Sequence, residues 1–432
     1  MDLCRVAAFL ALLVLGAHCS MHSTMPLFNF PDVTEIDIVA AKTLAMEWRA
    51  AHPGFDASTL PPLILLPGLM GSGLDSQLTD APSPATCPRN QDWEQLWLSP
   101  DKLLRANCFV WTLGLNFDEV DGTFYNNEGV DIRPKDFGGL DGINYLSYTA
   151  DGVPINGTEY MEGLIVYLEG IGYVPGQNLA GAPYDWRQAN NPYGTWNDDL
   201  KALIESLYAN NGNTPVWALA HSMGNLELTQ MLNTQTQDWK DQYFGEFLSV
   251  AAPFSGASST LTGIVSGSSF LFLEPEDVKE LIQGWGSMVW MLPDIYLLGD
   301  EPLIVVNATT QYSSFDFAQL FIDINATNTL AIYEHLVGTV GTMESPEVPI
   351  HCLYGVNTDT QLWYEYRDGL DEYPTAVHYG DGDGTVPIQS LEKCLEFDPV
   401  STKTFDLIDH NEILNDPVFL AYVGALLTNA AK

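Results

Sequence analysis

Two short stretches of the chain, Leu63-Ile-Leu-Leu-Pro67 and Pro215-Val-Trp-Ala-Leu-Ala220, are apolar at nearly every position. Such runs mark strands covered on both faces, as in a parallel sheet. Phe247-Leu-Ser-Val-Ala251 and Ile350-His-Cys-Leu-Tyr354 read as two more, while Lys403 to Ile408 alternates between polar and apolar residues, as a strand with one wet face does. Helical spacing runs over Tyr160–Glu169, Thr195–Ala209, Asn225–Asn233 and Glu412–Leu427. Strands alternating with helices predict an α/β fold with a mostly parallel sheet.

Two segments break that rhythm. Cys87 to Asp118 carries Trp93, Trp97, Phe109 and Trp111 among scattered leucines, and holds Cys87 and Cys108. Ser255 to Met343 is rich in Gly, Ser and aromatic residues. Both read as insertions over the carboxyl edge of the sheet, where α/β proteins bind their ligands. There is no internal repeat and no low-complexity tract.

Composition narrows the function. The 432 residues fit one α/β core with insertions as well as several domains. Hydrophobic residues make up 46% and charged ones 17%, with mean hydropathy +0.00, a globular balance. Against 56 Asp and Glu stand 16 Lys and Arg, a formal net of −40. Binding to nucleic acid depends on Lys/Arg clusters, so that class of function is excluded on charge.

The first residues resemble a cleavable secretory signal: Arg5, an apolar run from Val6 to Leu15, then small residues through Ser20. The rival, a membrane anchor, needs ~20 apolar residues. Residues 1–19 are taken as the signal, and the expected home is the secretory pathway: secreted, or in the lumen of a lysosome or vacuole. Outside the signal lie Cys87, Cys108, Cys352 and Cys394. In an oxidising compartment these suggest two disulfides; counting leaves three connectivities, and local pairing is the natural choice. Zinc is disfavoured, since no Cys-x-x-Cys is present and the histidines are scattered. Asn156, Asn307 and Asn325 open Asn-x-Thr sequons permissive for N-glycans.

The chemistry centres on Ala220-His-Ser-Met-Gly224, between a buried strand and a helix. A nucleophile elbow has this form because only small neighbours allow the backbone to bend sharply enough to expose the Ser Oγ. The first Gly of the usual pattern is replaced by Ala220, a small change. A hydroxyl nucleophile needs a base, and the base an orienting carboxylate, in the chain order Ser, acid, His. Among His335, His351, His378 and His410, the last stands on a loop after a predicted strand and is chosen; His351 reads as core, His335 as part of the cap, and His378 is the runner-up. Tyr379-Gly-Asp-Gly-Asp-Gly-Thr-Val-Pro387 offers Asp381 or Asp383 as the acid, with Asp383 preferred. A calcium loop starting at Asp381 would have Glu392 at position twelve, but its position six, which needs Gly, is Val386. For the oxyanion, the amide of Met223 and that of Leu69, in Pro67-Gly-Leu-Met-Gly-Ser-Gly73, are the candidate donors. No Gly-Lys-Ser/Thr follows that turn, so it is not a phosphate loop.

Six motifs occur in order: Leu66-Pro-Gly-Leu-Met-Gly71, Gly181-Ala-Pro-Tyr-Asp-Trp-Arg187, Ala220-His-Ser-Met-Gly-Asn225, Ala252-Pro-Phe-Ser-Gly256, Tyr379-Gly-Asp-Gly-Asp-Gly-Thr-Val386 and Asp409-His-Asn-Glu412. Together they closely resemble the lecithin:cholesterol acyltransferase family, its lysosomal phospholipase A branch above all, from about Leu60 to the C-terminus. The resemblance implies an α/β-hydrolase fold whose core is 20–76, 119–254 and 343–432, with a membrane-binding insertion at 77–118 and a cap with a lid at 255–342. It implies Ser222, Asp383 and His410 as the triad, Leu69 and Met223 as oxyanion donors, and disulfides Cys87–Cys108 and Cys352–Cys394. It further implies removal of a fatty acyl chain from a glycerophospholipid through an acyl-serine, with transfer to water or to an alcohol such as a sterol or ceramide, and no metal or other cofactor. Where the lysosomal branch carries an acid at the oxyanion turn, this chain has Leu69, so an acidic pH optimum does not carry over. A triglyceride or wax-ester lipase of the same fold is the rival enzyme, and an inactive lipid-binding protein the rival of another class.

An enzyme of this kind must work at a bilayer or lipoprotein-like surface despite the net charge of −40. The segment 87–118 sets Arg89, Lys102 and Arg105 against Asp92, Glu94, Asp101 and Asp118, a balance of only minus one. Docking is therefore expected through insertion of Trp93, Trp97 and Trp111 and of leucines, with little help from anionic lipid.

Overall fold

The computed structural model describes residues 35–149, 151–189, 195–268, 273–338 and 343–430. The expected signal lies outside them. At the centre is a six-stranded, wholly parallel sheet built from β1 (Leu63–Leu66), β2 (Leu179–Gly181), β3 (Val216–His221), β4 (Phe244–Val250), β5 (Ile350–Val356) and β6 (Ser401–Asp406), in the order β6-β5-β4-β3-β1-β2. Every residue of β1 and β3 is buried, as their unbroken apolar runs require. Edge strand β6 instead alternates between exposed and half-buried positions along most of its length.

The strand order carries the key consequence. The chain leaves β1 for β2 on one side, then returns to β3 on the other. The carboxyl ends of β1 and β3 are thus neighbours at a point where the winding reverses, the place where open α/β sheets hold ligands.

Helices α2 (Glu162–Ile171), α3 (Trp196–Asn210) and α4 (Gly224–Asn233) lie where the periodicity placed them, to within two residues. A helix that the sequence reading did not include, α1 (Glu35–Ala51), buries Ile38, Ala41 and Ala45 and packs on α2, with Arg49 Nε donating to the Gly170 carbonyl at 2.8 Å. The closing helix does not start at Glu412. A 3-10 turn covers Glu412–Asn415, and α5 runs from Pro417 to Ala430. Pro417 forces Asp416 out of the helical region, to ψ 127°, and the Asp416 carboxylate then caps α5 by accepting from Val418 N and Phe419 N.

Both segments expected to be insertions share sheets with the rest of the chain. Strand Gln91–Trp97 pairs with Leu74–Leu78, which also pairs with Val130–Pro134, so the expected boundaries at 76/77 and 118/119 cut across one three-stranded sheet. Residues 304–305 and 311–312 of the expected cap join Thr360–Glu365 and Ala376–Gly380 in a four-stranded sheet. The disulfides are Cys87–Cys108 and Cys352–Cys394, the local pairing.

Candidate active site

Ser222 occupies the turn between β3 and α4 with φ +54°, a left-handed conformation that a non-glycine residue adopts at a cost. The turn is compressed from below by the end of β1. A Cβ on Gly68 would stand 2.7 Å from the Ser222 Cβ, and one on Gly224 would stand 2.4 Å from the Pro67 carbonyl oxygen. Ser222 N donates to the Val250 carbonyl of β4 at 2.9 Å, and Asn225 Nδ2 bridges the Ser222 and Val250 carbonyls at 2.8 and 2.9 Å. The Oγ is thereby aimed off the sheet, and the residue remains only 9% exposed.

His410 arrives from the loop after β6, its Nε2 2.9 Å from Ser222 Oγ. Its Nδ1 lies 2.7 Å from Asp383 Oδ2, and its own amide donates to the Asp383 carbonyl at 2.8 Å. Asp383 is fully buried beside the end of β5, bridged there to Thr358, and its Oδ1 accepts from the amides of Val386 and Thr385 at 2.7 and 3.1 Å. Burial opposes charge on His410. The Asp383 carboxylate, by charge and by hydrogen bond, together with Asp409, outweighs it and holds the imidazole above its ordinary value.

The other candidates fall elsewhere. Asp381 is exposed and accepts from Asn357 N. His378 stacks on Trp363 at 3.4 Å, His351 is buried between Ser401 and Glu246, and His335 packs against Phe117. Among the described residues the amides of Leu69 and Met223 donate to no protein acceptor, so both are available to a bound oxygen.

Two residues without a role in the sequence reading complete the arrangement. Tyr160 Oη accepts from Gly68 N at 2.8 Å and meets His221 Nδ1 at 2.6 Å, and His221 Nε2 lies 2.8 Å from the His410 carbonyl. Burial, and then the charge of His410, push His221 well below its ordinary value. A neutral ring that donates to a carbonyl from Nε2 must accept at Nδ1, so Tyr160 donates there. No local pattern announces this, because Tyr160, His221 and His410 meet only in the fold.

The cavity above Ser222, about 90 Å³, has Leu69, Met70, Leu146, Pro253, Ala257, Met288 and Met291 in its lining. The lining is largely apolar, with the Ser222 hydroxyl and the His410 imidazole among its polar groups.

The sequence model of the lecithin:cholesterol acyltransferase family matches residues 93–332 and 338–405. This chain belongs to the lecithin:cholesterol acyltransferase family. Among its relatives, the "Lysosomal phospholipase A and acyltransferase" of Bos taurus is 32% identical over 389 residues, covering 87% of this chain and 94% of the relative. "Lecithin-cholesterol acyltransferase-like 1" of Arabidopsis thaliana is 31% identical, covering 84% and 88%. "Phosphatidylcholine-sterol acyltransferase" of Mus musculus is 28% identical, covering 86% of each chain.

In this family member one expected surface residue is misplaced. Trp97 is 1% exposed, with its indole packed edge-on to Trp186 at 5.1 Å, so it is a core residue and cannot insert into lipid. Its place on a strand shared with Leu74–Leu78 turns the ring inward. Trp93 and Trp111 are half-buried, the former beneath the Arg133 guanidinium at 4.1 Å and the latter against the small cluster of Leu78, Ala81 and Val130. Leu104, Val120 and Tyr125 are exposed in the same region. Asn156, Asn307 and Asn325 are all exposed. Among the described residues no helix is long and apolar enough to cross a membrane.

Proposed function

We propose that this chain is a serine-dependent phospholipase and O-acyltransferase that docks peripherally on a glycerophospholipid surface. The observation that carries the reading is the continuous chain Asp383–His410–Ser222, at 2.7 and 2.9 Å, opening into a largely apolar cavity. The names of the relatives supply the substrate class.

In this reading Ser222 Oγ attacks the ester carbonyl while His410 Nε2 takes its proton. Asp383 fixes the imidazole with its proton on Nδ1 and stabilises the cation that forms. The carbonyl oxygen, now negative, is met by the amides of Leu69 and Met223. Collapse of the tetrahedral intermediate breaks the ester bond, and His410 returns its proton to the departing lysophospholipid oxygen. The acyl group then rests on Ser222. Water or an alcohol lipid enters, gives its proton to His410 and attacks the acyl-serine; release of the product restores the Ser222 hydroxyl. No step calls for a metal.

The test is to incubate the protein with phosphatidylcholine vesicles carrying sterol or ceramide and to follow products by mass spectrometry, beside a parallel assay on emulsified triglyceride. Lysophospholipid together with free fatty acid or an acylated acceptor is expected. Cleavage of triglyceride alone would replace this reading with that of a neutral-lipid lipase.

A further inference from the structure

The turn that carries Leu69 is held in an unfavourable shape. Gly71 N donates to the Gly68 carbonyl at 3.0 Å, closing a four-residue turn, and Met70 sits at its third position with φ +60°. That position favours glycine, because a Cβ crowds the left-handed backbone. Something outside the turn must therefore hold it.

The restraint comes from the insertion between the two cysteines. Trp97 Nε1 donates to the Met70 carbonyl at 2.8 Å. The Trp97 ring is wedged between Trp186 and Phe109, the latter on helix Ala106–Leu113, which also bears Cys108. Trp186 in turn donates from its Nε1 to the Ser72 carbonyl at 3.0 Å, and packs at 5.1 Å against Trp285 of the cap. Two indole N–H groups thus grip the carbonyls on either side of Gly71, and one of them belongs to the segment read from sequence as a docking element.

We infer that Trp97 is a positioning residue: its indole N–H on the Met70 carbonyl holds the turn so that the Leu69 amide serves the developing oxyanion, which makes the Cys87–Cys108 insertion part of the reaction framework. The inference rests on the proposed role of the Leu69 amide. Its physical content is narrow. A preorganised donor acts by being already aimed when charge develops, so loosening the turn weakens the transition state more than the bound ester.

The test separates this role from docking and from bulk stability. Trp97→Phe keeps an aromatic ring and removes the N–H; benzothienylalanine installed at position 97 keeps the bicyclic shape as well and serves if the Phe variant folds poorly. With a water-soluble short-chain p-nitrophenyl ester, for which no lipid surface is needed, kcat is expected to fall about tenfold with KM within about twofold of wild type. Sedimentation with phosphatidylcholine vesicles should be unchanged. Unchanged kcat, or a loss confined to KM or to vesicle binding, overturns the inference. Labelling of the wild-type protein by a fluorophosphonate checks the foundation separately: absence of adduct on Ser222 removes the site reading itself, and the inference with it.

Discussion

His221 Nε2 donates to the backbone carbonyl of His410 at 2.8 Å, tying the residue before the serine to the residue whose ring lies against it. The two imidazoles stand 4.8 Å apart, yet only one of them reaches Ser222. The first is kept neutral by burial, the second is raised by Asp383, and Tyr160 connects this pair to the turn after β1.

Tyr160→Phe would leave His221 Nδ1 and Gly68 N without their partner in a buried site. Each orphaned polar group costs about 1–3 kcal/mol. The variant should lose stability on that scale in urea titration, and its kcat on a soluble ester should drop by roughly tenfold, since 1.4 kcal/mol corresponds to a factor of ten. Unchanged stability and kcat would show the network to be idle.

Ser222→Ala is expected to abolish ester cleavage by several orders of magnitude. Asp383→Asn should cost about 10³–10⁴-fold in kcat, because the neutral amide no longer favours the proton on Nδ1. Asp381→Asn, at an exposed carboxylate, should stay within about twofold, the scale of ordinary surface changes. Equal losses at 381 and 383 would overturn the assignment.

In the proposed mechanism the acid limb of kcat/KM reports protonation of His410, which must be neutral to accept the Ser222 proton. Burial lowers the pKa, but Asp383 first and Asp409 after it raise it further, so the limb should lie above the ordinary histidine value of about 6.5. Asp409→Asn should move it down. Stability has the opposite sign. A raised native value contributes stability that is present below the unfolded value and lost as pH rises through the native one, so His410 favours folding where it is inactive. A limb below 6.5, or one indifferent to Asp409, contradicts the geometry.

Glu227 on α4 is buried, and burial together with the charge of Asp185 pushes its carboxyl up to about 8. The native state therefore keeps a proton that the unfolded chain releases at about 4.5, and stability declines between those two values as pH rises. The full difference is on the order of 5 kcal/mol. Glu227→Gln has no such proton to hold. Its Tm relative to wild type should climb from pH 4.5 to pH 8 in calorimetry; a constant difference would mean that Glu227 ionises normally.

The sequence by itself determined much of the candidate site. Apolar runs at Leu63 and Val216 had to be buried strands, and small residues around Ser222 permit a turn of the kind the structure contains. That Asp383 and His410 would meet Ser222 was legible because loop acids and histidines after late strands have few alternatives, and the residue order did the rest. What only the tertiary structure decided depends on contacts between segments far apart in the chain. Trp97 sits in a run of aromatic residues that looks fit for lipid, and nothing local separates it from Trp93. Register against Leu74–Leu78 turns it inward, onto the Met70 carbonyl. The roles of Tyr160 and His221 likewise show in no local pattern, since they lie in hydrogen bonds spanning 92 and 189 residues. Periodicity reports which face of an element is dry, whereas the partner that a buried polar group finds is set by how the elements pack.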